Sequence, residues 1–161
     1  MDHERVFHTL YPVLFRYLVR VTGDPDVAED VAQEAFVRLT EQSMSEDEAR
    51  PWLFTVAKNL VRDRARKVSR QRRLEPYVPR SKSPVAPDVS AERQDRIERV
   101  RRALDELPER DRTMLLMREE GFKYAEIARA VDVAPGSVGT LLARAARRFE
   151  KTYTALMAGD G

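Results

Sequence analysis

This sequence predicts an all-α fold made of two small helical domains joined by a flexible linker, the second domain ending in a helix-turn-helix. Three observations carry that prediction. Apolar residues recur at helical spacing, strand-like alternation is absent and β-branched residues are scattered. Between Ser69 and Ala91, Pro76, Pro79, Pro84 and Pro87 fall among Ser, Arg and Lys, which reads as an extended linker. A structureless stretch of that length is unusual inside a compact domain, so it marks a boundary. Last, Tyr124–Arg148 reads as a helix, a tight turn and a second helix ending in arginines. The expected organisation is a first domain over 1–68, a linker over 69–91 and a second domain over 92–156.

The first helix is expected from Glu4 to Val21, with Val6, Leu10, Leu14, Tyr17, Leu18 and Val21 as its apolar stripe. Pro12 lies inside it, where a proline can kink a helix. Gly23-Asp24-Pro25 breaks the chain. Asp24 or Asp26 can cap the second helix, Asp26–Thr40, where Val27, Val31, Ala35 and Leu39 recur and Phe36 widens the stripe. Gln42–Glu48 is polar and reads as a loop. A third helix is expected over Arg50–Val68, with Pro51 in its first turn. Trp52, Leu53, Val56, Ala57 and Leu60 point inward there, and from Arg62 it becomes a basic rod.

In the second domain, Arg93–Leu107 carries Ile97, Val100, Ala103, Leu104 and Leu107 inward, and Pro108 ends it. Glu109–Glu119 follows, with Met114, Leu115 and Met117 apolar and Gly121 as the stop. In the helix-turn-helix, Tyr124, Ile127, Ala128 and Val131 share one face of the first helix. Val138, Leu142 and Ala145 form the inner face of the second, the type of helix that fits the DNA major groove. The residues Ala158–Gly161 read as a frayed tail.

Composition narrows the function. The 161 residues are 42% hydrophobic, enough for a core, and 35% charged, above the roughly 25% average. Cysteine is absent, which excludes disulfides, thiolate zinc sites and cysteine nucleophiles. His3 and His8 have no third ligand at metal spacing, and no phosphate loop, nucleophile elbow or triad order occurs. No enzyme activity and no cofactor are expected. No apolar run approaches a membrane span and the N-terminus does not read as a signal peptide, so a cytoplasmic protein is expected.

The net charge of +2 conceals segregation. Asp24–Glu48 holds nine acids against one base, a net of −8, and Arg62–Arg73 holds seven bases against one acid, a net of +6. The first block suits a basic protein surface and the second a polyanion. Solvated helix faces would account for either block taken alone.

The order of these segments resembles a bacterial sigma factor of the extracytoplasmic-function (ECF) type, in the sigma-70 family. Three stretches carry the resemblance: Ala28–Leu39 (AEDVAQEAFVRL), Trp52–Arg66 (WLFTVAKNLVRDRAR), and Leu107–Arg110 with Tyr124–Ala128 and Pro135–Val138. The resemblance implies a subunit that binds core RNA polymerase and directs promoter-specific initiation. Asp30, Gln33 and Glu34 would contact a basic coiled coil on the polymerase β′ subunit. Trp52, Asn59, Arg62, Asp63 and Arg66 would meet the −10 element, with the Gln42–Ala49 loop in the region that captures a flipped base. As the first large apolar residue of its helix, Trp52 is more often core than a stacking platform, and Asp63 can serve to orient Arg62 or Arg66. Ser137, Thr140, Leu141, Arg144, Arg147 and Arg148 would meet the −35 element. Arg70, Arg72, Arg73, Arg80 and Lys82 make the linker basic, suited to tracking nucleic acid. The resemblance also implies contact with the polymerase β subunit and a separate anti-sigma factor that could hold the protein at the membrane.

The recognition helix departs from the family pattern. Asp132 stands where Gly is usual and tolerates left-handed geometry. Ala134 replaces the Ser or Thr cap, a loss of about 1 kcal/mol that Pro135 partly offsets. Gly139 costs about 1 kcal/mol of helix propensity and would allow close approach to the DNA backbone. Leu141 is expected to project away from the Val138–Leu142 face. These departures suggest weaker −35 binding or an A·T-rich preference. Two other functions fit the same residues: a stand-alone helix-turn-helix regulator, and a sigma-like decoy that occupies a partner without using its DNA face.

Overall fold

The computed structural model describes residues 1–72 and 90–159. Most of the expected linker, residues 73–89, and the last two residues of the tail lie outside them. All regular structure among the described residues is helical. The chain splits into two compact units, Met1–Pro84 and Val85–Gly161.

The first unit is a bundle of α1 (His3–Thr22), α2 (Pro25–Thr40) and α3 (Glu46–Arg72), each packed on the other two. Asp2 caps α1 by accepting from the Arg5 N–H at 3.1 Å. The helix runs through Pro12 to Gly23, whose φ of 66° suits a residue without Cβ, and the Gly23 N–H donates to Val19 O. Asp24, not Asp26, caps α2: its Oδ1 accepts from the Asp26 N–H at 2.9 Å.

The core is built from Val6, Leu10, Leu14, Tyr17 and Leu18 on α1, then Ala28, Val31, Ala32, Ala35, Phe36 and Leu39 on α2. α3 adds Ala49, Leu53, Phe54 and Ala57. Alanines at these contacts let the helices approach closely. Tyr17 packs on Phe54 with ring centroids 5.0 Å apart. The inner face of α2 is rotated from the expected one: Ala28 and Ala32 are sealed while Val27 is only half-buried.

α3 begins four residues earlier than expected. Ser45 and Glu48 form a reciprocal cap: the Ser45 N–H donates to Glu48 Oε2 at 3.0 Å, and the Glu48 N–H reaches Ser45 Oγ at 3.4 Å. Pro51 therefore lies beyond the first turn, with its missing N–H inside the helix. Arg5 also pairs with Glu46, joining the starts of α1 and α3. Trp52, Val56 and Leu60, expected to point inward, are half-buried, and the unexpected Phe54 occupies the core. α3 runs on to Arg72, so Ser69–Arg72 is helical rather than linker.

The second unit contains α4 (Ala91–Glu106), α5 (Glu109–Glu119), α6 (Tyr124–Val131), a 3₁₀ turn at Pro135–Ser137 and α7 (Val138–Gly159). α7 packs against α4, α5 and α6. Ser90 caps α4. Ala103, Leu104 and Leu107 are buried, but Ile97 is 55% exposed, because the stripe on α4 extends past the core that could cover it. On α5, Leu116 is buried with Met114 and Met117, while Leu115 is half-buried. Phe122, Ile127, Ala128, Ala130, Val138, Leu142 and Ala145 complete the core. Tyr124, expected on the inner face, is 44% exposed.

Candidate functional site

Three exposed helix faces collect the candidate residues. On α2 the packing of Val31, Ala35 and Leu39 turns Asp30, Gln33 and Glu34 to the outside, and all three are exposed. They are lightly tied to the protein itself. Gln33 donates to Glu29 Oε1 at 3.2 Å, Glu34 accepts from Arg38 Nε at 3.0 Å, and Asp30 Oδ2 lies 3.8 Å from Arg64 Nη2 of α3. Exposed pairs of this kind are worth about 0–1 kcal/mol, so a partner can replace them at little cost. Tyr11 of α1 has its pKa raised by burial and then by the charge of Glu29.

α3 sets Trp52, Asn59, Asp63 and Arg66 on a second face. At about 100° per residue, Trp52, Asp63 and Arg66 all lie within about 40° of Asn59, and Arg62 lies at its margin. Asn59, Asp63 and Arg66 are exposed, and Trp52 and Arg62 are half-buried. Trp52 is thus neither sealed in the core nor free in solvent: it offers an aromatic face at the edge of the bundle, in line with Asn59. Beyond Arg62, α3 is exposed on every side through Gln71 and carries Arg64, Arg66, Lys67 and Arg70.

The third face belongs to the helix-turn-helix. Asp132 closes α6 at φ 56°, and the Val133 N–H donates to Ala128 O. Ala134 supplies no side-chain cap to the Pro135–Ser137 turn. Ser137 of the turn and Thr140, Arg144 and Arg147 of α7 are exposed, on the side away from Val138, Leu142 and Ala145. Leu141 does not stand clear of the core as expected. It is half-buried, because its place on the helix wheel borders the inner face as much as the outer one. Gly139 does not lie open: a Cβ there would sit 3.6 Å from the Tyr124 ring.

Arg148 differs from its neighbours. Its Nη1 donates to Asp111 Oδ2 at 2.6 Å, and the Asp111 side chain is 2% exposed. The pair ties α5 to α7 across 37 residues of sequence, so Arg148 carries a structural task whatever else it touches. Reasoning from sequence missed Asp111, since nothing local distinguishes it from its exposed acidic neighbours. Tyr124 was also missed as a surface group. It is held between Gly139 and the Arg118 guanidinium, which lies 5.2 Å from its ring centroid.

Among the described residues no group of three His, Asp or Glu side chains is placed to hold a metal, and no helix is long and apolar enough to cross a membrane.

Comparison with known proteins follows the same division. Residues 6–71 match the family model of sigma-70 region 2, and residues 97–149 match that of sigma-70, region 4. The chain is 34% identical over 151 residues to the ECF RNA polymerase sigma factor SigL of Mycobacterium tuberculosis, covering 89% of this chain and 84% of that protein. It is 32% identical to the ECF RNA polymerase sigma factor EcfG of Rhodopseudomonas palustris, covering 93% and 82%. Its fold is similar to that of the sigma factor RpoE of Bartonella quintana, solved in complex with the anti-sigma factor NepR. The TM-score is 0.73 at 21% identity, covering 95% of this chain and 97% of that one.

Proposed function

The chain belongs to the ECF sigma factors of the sigma-70 family, and on that premise we propose how its three faces divide the work of promoter-specific initiation. As an RNA polymerase sigma factor it binds core polymerase and promoter DNA, and the phosphodiester chemistry is assigned to the polymerase.

Asp30, Gln33 and Glu34 dock on the basic coiled coil of the β′ subunit. Opposite charge steers the encounter and sets its register. Asn59 reads a base edge in the −10 element, Arg66 holds a phosphate or a guanine, and Arg62 adds a phosphate contact. Asp63 keeps the two arginines oriented. Trp52 stacks on a base that leaves the duplex, which favours strand opening because only the unpaired base offers its face. Ser137, Thr140, Leu141 and Arg144 meet the −35 element, while Arg147 and Arg148 lie toward its phosphates. The working division is 1–72 for polymerase and −10 binding, 73–89 as the connecting segment and 90–156 for the −35 element. Work takes place in the cytoplasm, and an anti-sigma factor, as in the Bartonella quintana complex, covers these faces in the inactive state and can hold the protein at the membrane.

One observation supports this reading above the others: a single three-helix bundle carries both an exposed acidic face and a Trp-led Asn59–Arg66 face. A stand-alone regulator needs neither. The test is run-off transcription from a promoter library with core polymerase. The reading predicts transcripts from one promoter class that require the protein and vanish when Asp30, Gln33 and Glu34 are all replaced by Ala. Tight binding to duplex DNA without polymerase, together with no transcripts, would favour the regulator.

A further inference from the structure

Apolar packing holds the recognition helix only over its first half. Val138, Leu142 and Ala145 are buried, and no residue of α7 beyond Ala145 is. The start of the helix adds little grip of its own: no side chain caps the turn before it, and Gly139 stands in its first turn. Apolar contact is non-directional, so a short seam that ends on an alanine sets the rotation of a helix loosely. One turn past Ala145 comes a contact of another kind. Arg148 Nη1 donates to Asp111 Oδ2 at 2.6 Å. Asp111, in the first turn of α5, is the one buried carboxylate among the described residues. A charge-assisted hydrogen bond is both strong and directional. The two neighbouring arginines also stand differently on the wheel. Arg147 lies about 160° from inward Ala145, whereas Arg148 lies only about 60° from it, on the seam with α5.

We propose that Asp111 is a positioning residue for −35 binding. Acting through Arg148, it fixes the rotation at which α7 meets DNA, and it keeps the Arg148 charge out of the phosphate contacts. The proposal rests on the −35 reading given above and narrows it: of the two arginines placed toward the phosphates, Arg147 holds one and Arg148 does not. Charge supports the narrowing. A phosphate contact gains affinity from the counterions released when a cation neutralises the DNA. Arg148 comes to DNA already neutralised by Asp111, so it releases none. Its side chain is half-exposed, yet moving it to a phosphate would strand a buried carboxylate without a partner, which is costly. Geometry supports the positioning. At the 5–6 Å radius of a helix with its side chains, a rotation of about 20° carries the tips of Thr140 and Arg144 by about 2 Å. Hydrogen bonds to a base or a phosphate do not survive such a shift. Fixing register, rather than adding stability, is the best-attested use of a buried charged pair.

The test is promoter binding by the full chain with core polymerase, measured across salt concentrations on templates with and without the −35 element. Three variants carry it: R147A, D111N, and the double variant D111L/R148M, whose apolar pair replaces the ion pair at similar volume. Thermal unfolding checks that each folds. R147A should lower the slope of log affinity against log salt by about one. The double variant should keep the wild-type slope, while its preference for the −35-bearing template falls about tenfold, because α7 is held but no longer aligned. D111N leaves the Arg148 charge without its counter-charge and should raise the slope by about one. A slope lowered by about one in the double variant would make Arg148 a phosphate contact and overturn the proposal. So would an unchanged slope for D111N. A folded double variant with the wild-type preference would reduce the pair to stability alone and overturn the positioning role. If the wild type itself shows no preference for the −35-bearing template, the −35 reading fails, a result separate from all of these.

Discussion

α3 and α7 are both long helices that carry exposed arginines, and they begin in opposite ways. Ser45 and Glu48 satisfy the first turn of α3 from both sides. Ala134 leaves the turn into α7 without a side-chain cap, and Gly139 follows in the first turn of the helix itself. The outer faces differ in the same sense. α3 presents an aromatic ring, an amide, a carboxylate and guanidinium groups in line. α7 and the turn before it present two small hydroxyls, a half-buried leucine and arginines, one of them engaged with buried Asp111. Hydroxyls discriminate bases weakly beside an amide or a guanidinium. On the proposed reading, this contrast puts most of the sequence discrimination on α3 and leaves α7 to position the second unit, where half-exposed Arg148 is tied to buried Asp111.

The largest effect should come from breaking that ion pair. Arg148→Ala removes the partner of the buried Asp111 side chain and should lower the stability of the second unit by about 1–3 kcal/mol. Thermal unfolding measures it. Replacing Asp111 by Leu in the same chain should restore much of the loss, since the buried charge is then gone. An unchanged melting curve for Arg148→Ala would mean that the pair holds nothing and that Arg148 is available for DNA.

Next comes the contrast between the two reading faces. Asn59→Ala and Arg66→Ala should each lower transcription from the preferred promoter by about 10- to 100-fold, the 1–3 kcal/mol of one good base or phosphate contact. Thr140→Ala and Leu141→Lys should change it by less than about fivefold. Single-round transcription on matched templates decides between them, and a reversed order would put the discrimination on α7.

The smallest effects concern the helix starts. Ser45→Ala should cost the first unit about 1 kcal/mol by opening the cap. Gly139→Ala should stabilise the second unit by up to about 1 kcal/mol, since the added methyl meets only the Tyr124 ring at ordinary contact distance. A loss of stability there would show that Tyr124 needs the bare glycine.

The legible parts of this molecule were those set by local chemistry. The left-handed Asp132, the missing cap at Ala134, the helical class and the exposed acids of α2 follow from neighbours in sequence and from helical spacing. The illegible parts depend on partners far along the chain. Ser45-Glu46-Asp47-Glu48 has the composition of a polar loop, yet it holds the Ser and Glu spacing of a reciprocal cap, so α3 starts early. Ile97 and Tyr124 fit apolar stripes whose cores do not reach them. Leu141 borders two faces, and the wheel alone does not choose. Asp111 pairs with a residue 37 positions away, and no local pattern announces it.

One measurement tests the central claim most directly. Core polymerase and this protein would transcribe a promoter library in which the −10 and −35 elements are randomised separately. The account predicts a sharply defined −10 sequence that relaxes with Asn59→Ala, beside a shallow −35 preference that Thr140→Ala barely alters. A sharp −35 sequence with an undefined −10 element would contradict it.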